Sequence, residues 1–565
     1  MNTMYVGKTN RMFILFFGLF LFSSCAFQSE VADMIVHNAR IYTMDDEMKI
    51  MEAMAIRDGR IIELGPERQI LNKYRAETMI DCRKQPVYPG FIDAHCHFLG
   101  YGQTLQEMNL VGTKSWNEIL EIARKHAQID TAGWLVGRGW DQNDWTASDS
   151  SEVVPFPDCA QLDVMFPDRP VYLTRIDGHA VLVNSAVLQM AGLTPDTKVE
   201  GGIIEVRDGK CTGILIDNAI LFADSIMPLR TRAEKTEGLL RAQRNCFKVG
   251  LTTVSDAGLL RPDILLIDSL QRIGELPMRV YAMLSDDPIN FEWYGAHGPD
   301  TSSEWLTVRS FKFYADGALG SRGACLLSPY EDILKKFRRS EYGKLLSTPE
   351  VMRSKFQMLY DLGFQVNTHA IGDSANRVIL GLYAEVLGGA NDRRWRIEHA
   401  QVMDGRDMPM FREYSIIPSV QPTHATSDMP WAWERLGRNR IRKAYAYKEL
   451  KDQLGMIALG TDFPVEGISP LATFYAAVFR QNSEGMPAEG FQIENALSRE
   501  EALRGITIWA AMANMEDQYK GSLEVGKVAD VVVLDRDLME CTGLEVLRAK
   551  VQYTIIGGEV VYPVR

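Results

Sequence analysis

Val87-Tyr-Pro-Gly-Phe-Ile-Asp-Ala-His-Cys-His97 is an apolar run closed by two histidines that flank a cysteine. Read as a β-strand, it turns His95 and His97 to one face and Cys96 to the other, because successive side chains alternate. Two neutral imidazoles side by side at a strand end can grip one metal ion, zinc among the commonest. Taken alone, the pair reads equally well as two histidines on a solvated strand end. The remaining histidines decide between the two.

There are nine histidines in the chain. His126 lies in a polar helical stretch, and His37 and His297 lie in segments with turn or edge character, so these three read as surface residues. His369, His399 and His424 each end a short β-like run: Gly363-Phe-Gln-Val-Asn-Thr-His, Trp395-Arg-Ile-Glu-His and Ser415-Ile-Ile-Pro-Ser-Val-Gln-Pro-Thr-His. A fourth run, Met456-Ile-Ala-Leu-Gly-Thr-Asp462, ends in an acid. Scattered core histidines would not all choose the same end of successive strands.

The punctuation between these runs gives an alternating β/α pattern. Strands are predicted at 87–97, 250–257, 278–284, 308–316, 363–369, 395–402, 415–423 and 456–462. Eight such units predict an α/β fold, a closed parallel (β/α)8 barrel with its chemistry at the C-terminal ends of the strands. The histidines and Asp462 lie at those ends. The fourth strand, Arg309-Ser-Phe-Lys312-Phe-Tyr-Ala-Asp316, holds a lysine between two aromatic residues. Either it snorkels to the surface, or its amine sits deprotonated inside the barrel, where it can take up carbon dioxide as a carbamate. A carbamate would bridge two metals and neutralise charge that histidines leave standing.

Pro89-Gly-Phe-Ile-Asp-Ala-His-Cys-His, the lysine strand, Thr368-His369-Ala-Ile-Gly-Asp373, Arg396-Ile-Glu-His399-Ala-Gln, Gln421-Pro-Thr-His424 and Gly460-Thr-Asp462-Phe-Pro-Val resemble the amidohydrolase superfamily, in its family-3 branch. That branch includes enzymes similar to N-substituted formamide deformylase. The resemblance runs from about Val31 to the C-terminus. It implies His95 and His97 on one metal, Lys312 as a bridging carbamate, His369 and His399 on a second metal, and Asp462 as both ligand and general base. The ions implied are two zinc, with iron, manganese or nickel as alternatives. The expected reaction is hydrolysis of a non-peptide carbon–nitrogen bond (amide, formamide, cyclic amide or N-acyl group) by metal-activated hydroxide, with His424 on the developing oxyanion or the substrate. Thr461 stands where the pattern commonly has serine, and no catalytic group is missing.

Between the first two barrel strands lies a long insertion, about 101–245, carrying Tyr172-Leu-Thr-Arg175-Ile-Asp177-Gly-His179. In family 3 such an insertion helps to cap the barrel mouth. Arg175, Asp177 and His179 read either as substrate-binding residues or as an internal salt-bridge knot that shapes a loop. Arg322, in Gly317-Ala-Leu-Gly-Ser-Arg322-Gly-Ala, reads either as a partner for a substrate carboxylate or carbonyl or as a structural residue. The rest of the chain divides into a first β-sandwich half at 31–86, the barrel at 87–515 and a second sandwich half at 516–565. Neither half closes a sandwich alone, so the termini are expected to form one small β domain. An Asp58-Gly59 pair predicts a tight hairpin in the first half, and Ser498-Arg-Glu-Glu501 predicts a capping box that opens a helix over 501–515.

Residues 1–24 read as a signal peptide, with Lys8 and Arg11 before an apolar run too short to span a bilayer comfortably. Ser23-Ser24-Cys25 matches a bacterial lipoprotein signal, so Cys25 is expected to carry a lipid that tethers an exported enzyme to a bacterial membrane. A net charge of −13 argues against nucleic acid as a partner. The expected partner is a small-molecule substrate, with a homo-oligomer possible. Eight cysteines show no disulfide spacing. Two other readings stay open: a lysine Schiff-base lyase on the same barrel, and a ligand-binding lipoprotein of this fold without catalysis.

Overall fold

Eight parallel strands make one sheet, running Phe91–Cys96, Leu251–Leu259, Arg279–Ser285, Leu306–Tyr314, Gln365–Ala370, Arg396–His399, Ile417–Val420 and Ala458–Leu459 in spatial as well as chain order. Backbone bonds from Asp462 N–H to the His95 carbonyl (2.8 Å) and from His97 N–H to the Phe463 carbonyl (2.8 Å) draw the last strand onto the first. The result is the (β/α)8 barrel that the sequence pattern predicts. This is a computed structural model, describing Met1, Thr3, Met4, Gly7 and residues 29–129, 133–145 and 156–563. Cys25 and nearly all of the expected signal peptide lie outside the described residues. No helix among the described residues is long and apolar enough to cross a membrane.

Gly460 explains how tightly the barrel closes. A Cβ there would sit 2.6 Å from the His95 nitrogen and 2.8 Å from an Asp93 oxygen, so only glycine lets the two strands approach this closely. Asp93 fastens the same seam, accepting from Thr461 N–H (3.0 Å), Thr461 Oγ1 (2.6 Å) and His95 N–H (3.1 Å).

Three sequence expectations need correcting. The run 87–97 is two strands, because the chain crosses between sheets at Gly90, where a Cβ would meet the Thr252 hydroxyl at 2.2 Å. Pro86–Pro89 therefore belongs to the sandwich, paired with Arg40–Tyr42 on one side and Val531–Leu534 on the other. The insertion's own six-stranded sheet extends from Met108–Asn109 to Lys210–Asp217. Helix Arg232–Lys248, placed largely within the insertion by the sequence reading, packs on helix Phe98–Thr104 and on the second barrel strand, so it belongs to the barrel. The two helices touch at Gly102 and Gly238, where a Cβ on the first would lie 2.6 Å from the other's backbone. Finally, the single helix expected over 501–515 is two, Arg499–Gly505 and Ile508–Ala513. The Ser498–Glu501 capping box forms, but the Ile506 carbonyl is turned aside to accept from Ile92 N–H (2.8 Å).

The remaining strands form two sheets. One has four strands, all from residues 30–81, and the other has six, from both ends of the chain. Met34, Val36 and Ile41 meet Val531, Val533 and Ile555 in a shared buried core, so neither end can bury its apolar face without the other. The Asp58-Gly59 turn adopts positive φ at both residues (52° and 70°), the geometry of a two-residue hairpin.

Candidate metal centre

Alternation along the fourth strand settles the lysine. Phe311 stacks on Phe291 and Phe313 meets Phe356 edge-on, both in the helical shell, so Lys312 between them points into the barrel and is fully buried. Its Nζ lies 3.1 Å from His95 Nε2 and 4.9 Å from the centre of the Tyr314 ring. Burial pulls the amine down to about 8, so a minor part of it is neutral near neutral pH.

Around this lysine the strand ends bring five imidazoles and a carboxylate together. Ring centres are 4.9 Å apart for His95–His399, 4.6 Å for His369–His399 and 5.6 Å for His95–His97. Asp462 Oδ1 lies 3.2 Å from His97 Nε2 and 3.6 Å from His95 Nε2, while its Oδ2 lies 3.5 Å from His424 Nε2. The donor atoms of His95, His399 and Asp462 lie within 4.8 Å of one another. His399 and Asp462 both adopt positive φ (73° and 62°), an uncommon conformation for non-glycine residues that concentrates at functional sites.

The electrostatics suit a cation. Burial, reinforced by neighbouring imidazoles and Lys312, holds His369 and His399 well below the usual histidine range, leaving them neutral donors. Burial would raise Asp462, but the His97 imidazole 3.2 Å away and the fields of His95 and His399 outweigh it and keep the carboxyl ionised. His369 Nε2, His424 Nε2 and Asp462 Oδ1 are buried with no hydrogen-bond partner. Buried polar atoms are nearly always paired, and three orphans on residues that line one cavity are the mark of a ligand site. The residues fit a divalent metal.

Three groups that the sequence reading passed over hold these ligands in place. His95 Nδ1 meets Glu398 Oε2 (2.7 Å), His97 Nδ1 meets the Ala257 carbonyl (2.9 Å) and His399 Nδ1 meets Gln421 Oε1 (2.7 Å). With each Nδ1 serving as a donor, Nε2 is left as the lone-pair atom facing the centre. Glu398 was findable: it shares a barrel-facing side with Arg396 two residues earlier, and a buried acid beside a strand-end histidine calls for a partner.

The centre opens into a cavity of about 650 Å³. His179 lines it, its ring 5.1 Å from His369 and its Nδ1 2.8 Å from Asp217. Burial pulls His179 down, but the Asp217 carboxylate more than offsets this and the net shift is upward. Arg175 and Asp177 also line the cavity, yet the buried Arg175 guanidinium is committed to Asp141, Asp177 and Gln142. The knot reading describes Arg175 better than direct substrate capture does. Arg322 is a correction: it is absent from the cavity wall and pairs with Asp332 (2.6 Å), which Arg435 also holds (2.7 Å). All seven described cysteines are free thiols.

A model of the amidohydrolase family matches residues 78–562. The chain belongs to that family, in its family-3 branch. It is 32% identical over 563 residues to the protein LONG AFTER FAR-RED 3 of Arabidopsis thaliana, covering 94% of this chain and 92% of that one. It is 25% identical over 559 residues to the N-substituted formamide deformylase of Arthrobacter pascens, covering 94% and 99%. A crystal structure of an uncharacterized metal-dependent hydrolase from Pyrococcus horikoshii matches with a TM-score of 0.71 at 25% identity, covering 90% of this chain and 98% of that one. This amidohydrolase is accordingly a metal-dependent hydrolase acting on carbon–nitrogen bonds.

Proposed function

We propose that this amidohydrolase cleaves N-formyl or N-acyl groups from small amines, using two divalent ions, zinc in the first instance. His95 and His97 would hold one ion, His369 and His399 the other, with Asp462 and a carbamate on Lys312 completing the set. The observation that carries the reading is the convergence of His95, His399 and Asp462 within 4.8 Å, with the Lys312 amine 3.1 Å from His95. Imidazole and carboxylate donors in this mixture suit zinc, and also iron or manganese. When bound, the ions supply Lewis acidity, which brings the pKa of water down to about 7 and polarises a carbonyl.

The chain's own groups do the rest. Asp462, kept ionised by its histidine neighbours, takes a proton from the attacking water and passes it to the leaving nitrogen. His424, whose unpartnered Nε2 faces the same carboxylate at 3.5 Å, donates to the oxygen of the tetrahedral intermediate. Lys312 loses a proton when its amine adds to carbon dioxide, so the barrel gains an anion beside Asp462 among its imidazoles. The test is elemental analysis with a panel of N-formyl and N-acyl amines. Close to two divalent ions per chain and hydrolysis lost on chelation support the reading, as does a Lys312→Ala variant that loses metal and is partly rescued by added acetate. Metal-free protein that still hydrolyses the panel would sink it.

A further inference from the structure

One guanidinium in the cavity wall is left without an anion. Arg138, half-buried, lines the cavity from the insertion's sheet, in register with Thr174 on one side and Asn109 on the other. A guanidinium carries five N–H donors, and here one is used: Nη2 donates to the Ile176 carbonyl (2.9 Å). Nη1 makes no hydrogen bond to the described residues, and Nε is buried without a partner. The other arginines in and behind this wall differ. Arg175 is paired with Asp141 and Asp177, while Arg322 and Arg435 share Asp332.

The acids that could have met Arg138 are already taken. Glu107, in the same lining, is held by Arg230 (2.6 Å), and Asp177 is held by Arg175. Burial lowers the Arg138 pKa, and the fields of Asp177 and Glu107 offset only part of this. A guanidinium drawn out of water without a counter-ion is costly, and an anion entering the cavity would relieve that cost. The head group is also held still for it. Beyond the Ile176 bond, Gly178 lies against it, where a Cβ would sit 3.4 and 3.5 Å from the two Nη atoms. Asn109, also in the lining, accepts from the Val111 N–H through Oδ1 (3.0 Å), which leaves its Nδ2 as a further donor on the same wall. His97 and Lys312 of the metal centre line this cavity too, and the Asp462 charge reaches Arg138.

We propose that the N-acyl substrate carries a carboxylate, gripped by the Arg138 guanidinium with Asn109 beside it, while its scissile carbonyl lies at the metal centre. The inference rests on the hydrolytic reading above and narrows it from any N-acyl amine to an anionic one. The planar fork of a guanidinium can meet both carboxylate oxygens at once, which a lysine cannot do. Two acids of the lining, Asp428 and Glu466, make a cationic substrate the rival. They take hydroxyl donors from Tyr445 and Ser427, and burial raises both carboxyls.

A series of N-formyl ω-amino acids of increasing chain length, each beside its primary amide, tests it on the metal-loaded enzyme, with N-formyl-pentanediamine as the cationic control. The best acid should exceed its amide in kcat/KM by about 10- to 100-fold, the usual worth of hydrogen bonds to charged groups. Arg138→Met should bring that ratio toward one, chiefly by raising KM for the acid. Arg138→Lys should keep part of it, since the charge stays and the fork is lost, and it serves as the test should the Met variant not fold. Acids no better than their amides overturn the inference, as does a cationic control that outruns them. A preference unmoved in both variants also overturns it, because the carboxylate would then sit on the metal. Calorimetry of pentanoate against pentanamide separates the two claims. Arg138-dependent binding of pentanoate without turnover of any substrate keeps the anion site and removes the hydrolytic reading. Turnover without preference for the acid does the reverse, and absence of both removes both.

Discussion

Two regions of this protein bury charge, and they do so in opposite ways. Behind the cavity wall, Arg322, Asp332 and Arg435 form a closed triad, and Arg175 is gripped by Asp141, Asp177 and Gln142. At the barrel mouth, His369, His424 and Asp462 hold buried atoms with nothing to bond. A buried ion pair with its hydrogen bonds made fixes a shape. A cluster of buried polar atoms without protein partners calls for a bound group. In the first region each charge faces an opposite charge; in the second the unpaired atoms face the cavity.

The comparison breaks first at Asp462, where the largest effect on turnover is expected. Asp462→Asn keeps the size and one oxygen but loses the base, and should lower kcat by roughly 10²–10⁴-fold. Steady-state kinetics beside a circular dichroism spectrum check it: a folded Asn variant with near-normal kcat would move the base elsewhere. The next effect is smaller and falls on the metal. Glu398→Gln weakens the grip on His95 Nδ1 without touching the centre directly. It should cost about 10- to 100-fold in metal affinity, read by competition with a chelator, while activity returns at saturating metal. Unaltered affinity would make Glu398 part of the scaffold.

The site was far more legible in the sequence than its walls. Histidines at 95, 97, 369, 399 and 424 and the acid at 462 mark strand ends because a parallel barrel aligns those ends on one rim. Periodicity alone carries that information. Lys312 was readable for the same reason, since two flanking phenylalanines can only face outward if the lysine faces in. The walls depend on which charge finds which partner over long separations. Asp332 joins Arg435 across 103 residues, and no local pattern announces it. The strand break at Gly90 escaped notice because an apolar run looks continuous whether it serves one sheet or two, and only the proximity of Thr252 divides it.

The smallest effect on turnover belongs to the triad, and it sharpens the comparison from the other side. Asp332 is 5% exposed at its side chain and sits between two guanidinium groups. Burial would raise its carboxyl, but Arg322 and Arg435 outweigh this and hold it below the ordinary 3.8. Its ionised form is therefore favoured by folding. That stabilisation is fully present above the unfolded value and disappears as pH falls through the lower folded one. Asp332→Asn leaves two arginines without their charge partner and should cost about 3–5 kcal/mol of stability at neutral pH. The gap between wild type and variant should then close as the solution is acidified below about pH 4. The kcat of the folded variant should remain near wild type, since none of the three side chains lines the cavity. Denaturant unfolding at neutral and acid pH measures the first part, and single-substrate kinetics the second. A gap that persists in acid would mean the triad contributes through packing rather than charge. A large fall in kcat would mean that an ion-paired knot can still belong to the site, and the distinction between the two regions would fail.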